Sequence, residues 1–289
     1  METDKYKALL TAIDSGSLTE ASDILGYTVS GVSRMITSLE ETLGFSLMIR
    51  DRKGVRPTPD CERLLPSIRE LCHISDTIED MASGITGLER GTIRIGTAYR
   101  RYVEPLTELI IRFTDRYPNI RVDLTEKLTS NLLEDMQDHK LDLLIGSKRE
   151  GDFEFVPLEE YEVTIMIHKD HPLAGQQALP ITILETEPYI HTHPNQDSDD
   201  NRLLKKHKVR PNIRYTTTDE YATYKMVEAG LGIGLSYGIQ RYREDGNVRF
   251  KPIDPKETEV LGLAFSKEDQ LSPSSRKFIE FVKAYYQIK

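Results

Sequence analysis

Ser17-Leu18-Thr19-Glu20-Ala21-Ser22-Asp23-Ile24-Leu25-Gly26-Tyr27-Thr28-Val29-Ser30-Gly31-Val32-Ser33-Arg34-Met35-Ile36 carries the pattern of two short amphipathic helices joined by a tight turn. Ser17 with Glu20 three residues on has the form of a capping box, with the hydroxyl accepting from a free amide and the carboxylate reaching back. A short helix is therefore expected over about 18–25. Gly26 supplies the left-handed backbone of a sharp turn. Thr28 is a natural N-cap for the next helix, and Val32, Ile36, Leu39 and Leu43 give that helix one apolar face. Upstream, Ala8, Leu9, Ala12 and Ile13 recur at helical spacing and predict a first helix over about 4–14, stopped by Gly16.

The outer face of the third helix begins with Val29, Ser30, Ser33 and Arg34. In a helix-turn-helix, the first residues of the second helix reach base edges in the major groove. Small side chains permit close approach, Ser33 can bond a base or a phosphate, and Arg34 can neutralise a phosphate or read guanine. Ser17 and Thr28, at the two helix starts, join them as candidate backbone contacts. A plain three-helix knot with a serine-rich turn carries the same local pattern. The following segment favours DNA: Arg50, Arg52, Lys53 and Arg56 crowd together against one acid, Asp51, and Gly54 and Pro57 break helix. A short basic hairpin, or wing, suits flanking phosphates or the minor groove; a solvated charge run is the bland alternative.

Thr58 can cap a long helix running to about residue 87. Within it Leu64, Ile68, Leu71, Ser75, Ile78, Ala82 and Ile85 alternate four and three apart, as a heptad seam does. Dimerisation through Leu64, Ile68, Leu71, Ile78 and Ile85 is expected, which would set two reading helices on a two-fold related DNA site. The other use of such a face is packing on the chain's own core. Pro66 is tolerable if the helix kinks or begins its regular part there.

The 289 residues suffice for two or three folding units. A net charge of −9 runs against DNA binding until it is divided. Residues 1–58 hold seven bases (Lys5, Lys7, Arg34, Arg50, Arg52, Lys53, Arg56) and eight acids (Glu2, Asp4, Asp14, Glu20, Asp23, Glu40, Glu41, Asp51), so the acidity lies mainly beyond them. Local charge governs docking. No signal peptide and no apolar run of membrane-spanning length is present, so a cytoplasmic protein without membrane contact is expected. Cys61 and Cys72 lie on one predicted helix, too far apart for a bond between them. Cys72 reads as packing; Cys61 is open to a redox-responsive reading.

From residue 91 the pattern changes. Gly91–Gly96 reads as a strand, Leu106, Leu109, Ile110 and Phe113 as a helix, Ile120, Val122 and Leu124 as a strand, Leu132, Leu133 and Met136 as a helix capped by Thr129, and Leu141–Ile145 as a buried strand. This βαβαβ alternation predicts a mostly parallel sheet with helices on its faces. A second α/β unit begins near Glu162 with the strand Val163–Ile167, followed by the helix Tyr221–Ala229. Gly230-Leu231-Gly232-Ile233-Gly234 then follows a helix and precedes a strand, the wrong order for a dinucleotide fingerprint. The strand Val260–Phe265 and the helix Ser274–Tyr286 return to the first unit. Two lobes joined by two crossovers make a hinged cleft, where small ligands bind.

Together these residues resemble the LysR-type transcriptional regulators over essentially the whole chain. The N-terminal likeness rests on Ser15-Gly16-Ser17, Ala21, Leu25, Val32-Ser33-Arg34, Ile36, Leu39-Glu40, Leu43-Gly44, Arg50 and Thr58-Pro59. The looser C-terminal likeness rests on Ile93-Arg94-Ile95-Gly96, Phe113 with Tyr117-Pro118, Leu141-Asp142, His171-Pro172-Leu173 and Ala229-Gly230-Leu231-Gly232-Ile233. The resemblance implies an α/β chain with an N-terminal all-α winged helix-turn-helix (1–58), a long dimerising linker helix (59–88) and a two-lobed, periplasmic-binding-protein-like effector domain (89–289). Lobe I would take 89–161 and 258–289, and lobe II 162–257. It also implies double-stranded promoter DNA and a small-molecule effector as partners, a homodimer or homotetramer, RNA polymerase as a candidate partner, and no cofactor and no catalysis. The rival is a DNA-binding regulator whose C-terminal domain binds no small molecule and acts through protein partners.

Three departures matter. Val29 stands where the family commonly has Gln, exchanging a reader of adenine for an apolar contact. Cys61 replaces a usual Gly after the wing, and the segment Gly96 to Pro105 is about two residues shorter than the family's common spacing. Pocket candidates come from strand ends and helix starts facing the cleft: Thr97, Tyr99 and Arg100; Thr129 and Ser130, whose helix amides favour an anion; and His191, Thr192 and His193. Arg100 beside that helix start points to a carboxylate or similar anion. Capping alone is the plain use of each serine or threonine, and a surface charge that of Arg100. The histidines, with distant His207, show no metal-ligand spacing.

Overall fold

The computed structural model describes residues 2–52, 54–86, 90–99, 102–237, 246–267 and 270–288. Helices α1 (Glu2–Ser15), α2 (Leu18–Leu25) and α3 (Val29–Leu43) form a knot around Ala8, Leu9, Ala12, Ala21, Val32, Ile36 and Leu39. Thr28 Oγ1 caps α3 by accepting from the Gly31 amide at 3.1 Å, and Ser17 Oγ caps α2 by accepting from the Glu20 amide at 3.3 Å. Only half of the expected capping box forms. The Ser17 amide donates to the Ser15 hydroxyl at 3.4 Å, a partner closer in sequence than the Glu20 carboxylate.

Strands β1 (Met48–Asp51) and β2 (Gly54–Pro57) pair antiparallel as the wing. Glu40 fixes its entry: Oε1 accepts from the amides of Leu47 and Met48 at 2.7 and 3.3 Å. Its second strand docks on the α1–α2 turn through the Val55 amide and the Gly16 carbonyl, 2.8 Å apart. Gly54 sits at φ +111°, and a Cβ there would stand 2.5 Å from that carbonyl oxygen. The close approach therefore demands glycine at this position.

Helix α4 (Pro59–Ile85) starts on the Thr58 hydroxyl and runs for 27 residues with Pro66 inside it, about 40 Å at the usual rise. Its first half belongs to the knot: Cys61, Ile68 and Cys72 are buried there, Leu64 packs against them, and Arg69 forks the Asp14 carboxylate at 2.5 and 2.8 Å. This corrects the expected seam. Leu64 and Ile68 are covered by their own chain, while Leu71, Ile74, Ile78, Met81 and Ile85 are exposed at spacings of three and four. At about 100° per residue, the face given to the knot and this free stripe lie roughly a third of a turn apart. Ser75 and Ala82, taken as seam positions from sequence, fall between the two faces. Burial also pushes both thiols up to about 11, which holds Cys61 as a protonated core residue and counts against its redox reading.

The remaining chain builds two sheets. The elements are β3 (Gly91–Thr97), α5 (Val103–Arg116), β4 (Ile120–Glu126), α6 (Thr129–Gln137), β5 (Leu143–Ser147), β6 (Glu154–Glu162), β7 (Thr164–His168), β8 (Leu179–Pro180), β9 (Tyr189–Thr192), α7 (Asp199–His207), β10 (Ile213–Thr217), α8 (Glu220–Glu228), β11 (Gly234–Ser236), β12 (Val248–Asp254), β13 (Thr258–Phe265) and α9 (Pro273–Tyr285). One sheet has the order β4-β3-β5-β13-β6. Its β3 runs parallel to β4 and β5, and β13 antiparallel to β5 and β6. The other has the order β11-β7-β12-β8, and a parallel β9–β10 pair touches it through the Tyr189–Ile233 bridge.

The chain passes between the sheets twice, at 162–164 and at 254–258. Strand β13 falls where the sequence places it, in the first unit, but it runs antiparallel to β5; the local βαβ pattern gives the parallel strands, whereas the direction of a strand returning from over 100 residues away has no local signal. The glycine run serves packing, since a Cβ on Gly232 would stand 2.2 Å from the Pro188 carbonyl oxygen. Among the described residues no helix is long and apolar enough to cross a membrane.

Candidate DNA interface and effector cleft

At the start of α3, Val29, Ser30 and Arg34 are exposed, and the half-buried Ser33 lies one turn along the same face. Arg50 of the wing donates from Nη1 to Ser33 Oγ at 3.0 Å, so the wing and α3 present one continuous surface. The Ser33 hydroxyl uses its lone pair there and keeps its proton for an external acceptor. Arg52 is exposed at the hairpin turn, and Arg56 pairs with Asp51 at 2.5 Å. That pair is open to solvent and worth little, so a phosphate can displace the carboxylate. Thr28 and Ser17 are occupied as caps, with exposed and half-buried side chains. Lys53 lies outside the described residues.

Between the two sheets is a cavity of about 530 Å³. Of the sequence candidates, Tyr99, Thr129, Thr192 and His193 line it. Thr97, Ser130 and His191 do not; Thr97 and His191 are buried in the layer behind it. Arg100 lies outside the described residues. Thr129 is the first residue of α6 and not its cap: Leu128 takes that position without a side-chain bond, and the Thr129 hydroxyl lies 3.2 Å from Ser147 Oγ. The first-turn amides of α6 are therefore left without a side-chain acceptor from a cap or an acid. Ser130 Oγ reaches across to the Asp197 carbonyl at 3.2 Å. His193, at φ 54°, has a buried Nδ1 without a hydrogen-bond partner, and burial holds its ring below the ordinary range and so neutral.

Sequence reasoning missed Arg149 and the helix start at Asp199 and Asp200. Arg149 follows β5 and lines the cavity with a side chain only 5% exposed. Burial alone would lower its pKa, but the Asp199 carboxylate beside it more than offsets that and holds it up. Its Nε has no partner. Asp200 accepts from Tyr189 Oη at 2.9 Å, and burial pushes its carboxyl up to about 6. Glu259, behind Arg149, is pushed to about 7 by burial and by Asp199. The signal that was available is topological: ligands sit beyond the carboxyl ends of parallel strands, and β5 ends at Ser147, two residues before Arg149. The wall is otherwise acidic, with Glu126, Asp197, Asp199, Asp200, Asp219 and Glu220 against Lys127 and Arg149. Among the described residues no group of three or more His, Cys, Asp or Glu could hold a metal ion.

A winged helix-turn-helix on a long helix, followed by a two-lobed α/β domain with a ligand-sized cleft, defines a transcriptional regulator with an effector-binding domain. Residues 3–62 match the bacterial regulatory helix-turn-helix protein, lysR family, and residues 86–287 match the LysR substrate binding domain. The chain belongs to the LysR family of DNA-binding transcriptional regulators. Similar curated proteins include the uncharacterized HTH-type transcriptional regulator YvbU of Bacillus subtilis, 25% identical, covering 99% of each chain. Another is the Hca operon transcriptional activator HcaR of Escherichia coli, 23% identical, over 98% of this chain and 97% of that one. Among solved structures, a full-length OxyR from Pseudomonas aeruginosa superposes with a TM-score of 0.72 at 17% identity, over 99% of this chain and 94% of that one. The effector-binding domain of QuiR in complex with shikimate gives 0.60 at 24% identity, over 68% of this chain and 98% of that one.

The raised Asp200 carboxyl gives a signed pH dependence. Its folded pKa of about 6 lies above an unfolded value of about 3.9, so its contribution to stability is complete below pH ~4 and is lost as pH rises through 6. Asp200→Asn keeps an acceptor for Tyr189 and removes the titration. Thermal unfolding from pH 4 to 8 should show the variant gaining on the wild type, by on the order of 2 kcal/mol; a pH-independent difference contradicts the assignment.

Proposed function

We propose that the exposed start of α3 reads the major groove while the wing grips flanking phosphates, on cytoplasmic promoter DNA. The observation that supports this is the Arg50–Ser33 bond, which joins the cationic wing to the small polar face of α3. Arg34 and Ser33 supply hydrogen bonds, and Val29 supplies an apolar contact suited to a thymine methyl. A second copy of the chain covers the α4 stripe from Leu71 to Ile85 and pairs the reading helices. Replacing both Ser33→Ala and Arg34→Ala should abolish sequence-specific binding in a gel-shift titration while the oligomer elutes unchanged. Unchanged specific binding by that double variant would refute the role given to α3.

The cleft takes a small effector with an anionic group. Two features of one cavity support this: the uncapped start of α6, whose amides and dipole favour negative charge, and Arg149, whose Nε lacks a partner. The anionic group lies beside Arg149, because among the described residues the lining has only one other cation, Lys127, and is otherwise rich in carboxyl groups. Thermal unfolding of the full chain against carboxylates, phosphates, amines and neutral sugars tests this. A saturable rise of several degrees is expected with one anionic class. A rise with amines or sugars alone overturns the anion, and no rise with any class favours the rival in which the domain acts through protein partners.

A further inference from the structure

Asp199 opens α7 in the second lobe, yet its carboxylate bonds to the first. Tyr99 Oη donates to Oδ2 at 2.6 Å, Ser147 Oγ donates to Oδ1 at 3.0 Å, and Arg149 Nη2 pairs with Oδ1. The donors come from two segments, the turn after β3 and the end of β5. Tyr99 and Arg149 line the cavity, and Ser147 is bonded to Thr129 at the uncapped start of α6. A guanidinium and two hydroxyls converging beside free helix amides are what a ligand carboxylate needs. We propose that Tyr99, Ser147 and Arg149 form a carboxylate subsite which the chain fills with its own Asp199, and that an anionic effector binds by displacing this side chain. This rests on reading the cleft as an anion site.

Two observations set the arrangement apart from a simple tether between lobes. Arg149 is 5% exposed and lines the cavity, and its buried Nε has no acceptor from the protein, so Asp199 leaves the guanidinium incompletely satisfied. The start of α7 does not need Asp199 as its cap, because Ser198 Oγ already accepts from the Asn201 amide at 3.3 Å. Displacement also has somewhere to go. The far end of α7 holds the second crossover: Lys206 Nζ and His207 Nε2 lie 2.6 and 2.7 Å from the Glu257 carboxylate. Releasing Asp199 removes the carboxylate link between the start of α7 and the first lobe, while the far end stays fastened to the segment that joins the lobes. The resting latch also lowers apparent effector affinity by the fraction of molecules in which it is open.

Chemical rescue tests the proposal. Asp199→Ala deletes a carboxylate that formate can replace. Thermal unfolding of the full chain should show the D199A midpoint rising by several degrees, saturably, with sodium formate against sodium chloride at equal ionic strength. The wild type should not respond, and adding Arg149→Ala should abolish the response. A D199A protein indifferent to formate, or one rescued equally without Arg149, overturns the subsite. Should D199A fail to fold, Asp199→Ser keeps a polar side chain and leaves the carboxylate space open; a formate-dependent rise is expected there too, and its absence overturns the proposal. Formate rescue without any effector response in the wild type would leave the subsite standing and remove the effector reading. A wild-type response to a carboxylate without formate rescue would do the reverse.

Discussion

One helix has to serve three environments, and the rest of the molecule is arranged around that constraint. The first half of α4 completes the core of the DNA-binding domain with Cys61, Ile68 and Cys72. Its second half bears on the effector domain: Asp80, nearly buried, accepts from the Ser274 amide and hydroxyl, both at 3.0 Å. Its third face is the exposed stripe from Leu71 to Ile85. A helix can divide its surface this way only because its period sets those faces at fixed angles. A shift of register by one residue would turn a core face into the stripe.

The same helix carries the contacts between the two functional ends. Asp76 takes Lys7 of α1 at 2.7 Å and Arg94 of β3 at 3.2 Å, joining knot, linker and sheet at one carboxylate. His73 stacks on His139, in the turn after α6, with ring centroids 4.8 Å apart. The partly exposed ion pairs hold little energy individually; the buried Asp80 contacts hold more. Helix α6 thus has its start at the cleft and the turn beyond its end against α4. A ligand group at the Leu128–Thr129 end is therefore one rigid helix of 9 residues away from the linker.

Much of this was legible in the sequence where interactions are local. Ser17, Thr28 and Thr58 name the helix starts because capping acts within three residues, and each hydroxyl accepts from the amide three residues on; the Glu20 half of the capping box and the cap read at Thr129 do not form. The wing was readable from Gly54 and its cations. The seam was readable in period but not in phase: heptads through Ser75 and through Ile74 share Leu71, Ile78 and Ile85, and only the packing of Ile68 and Cys72 decides between them. The cleft was half legible. Tyr99, Thr129, Thr192 and His193 sit at element ends that topology sends inward. Arg149 and Asp199 pair across 50 residues, and each alone reads as a solvated charge. Long-range ion pairing leaves no local signature.

On the proposed function, this chain reads DNA as a pair of helix-turn-helix modules joined along α4. Footprinting on the DNA flanking its own gene tests it most directly, with wild type and Ile74→Asp compared at equal salt. The wild type should protect a two-fold symmetric site whose halves are centred one or more helical turns apart, and the variant should lose that paired protection. A single asymmetric half-site protected equally by both proteins would contradict it.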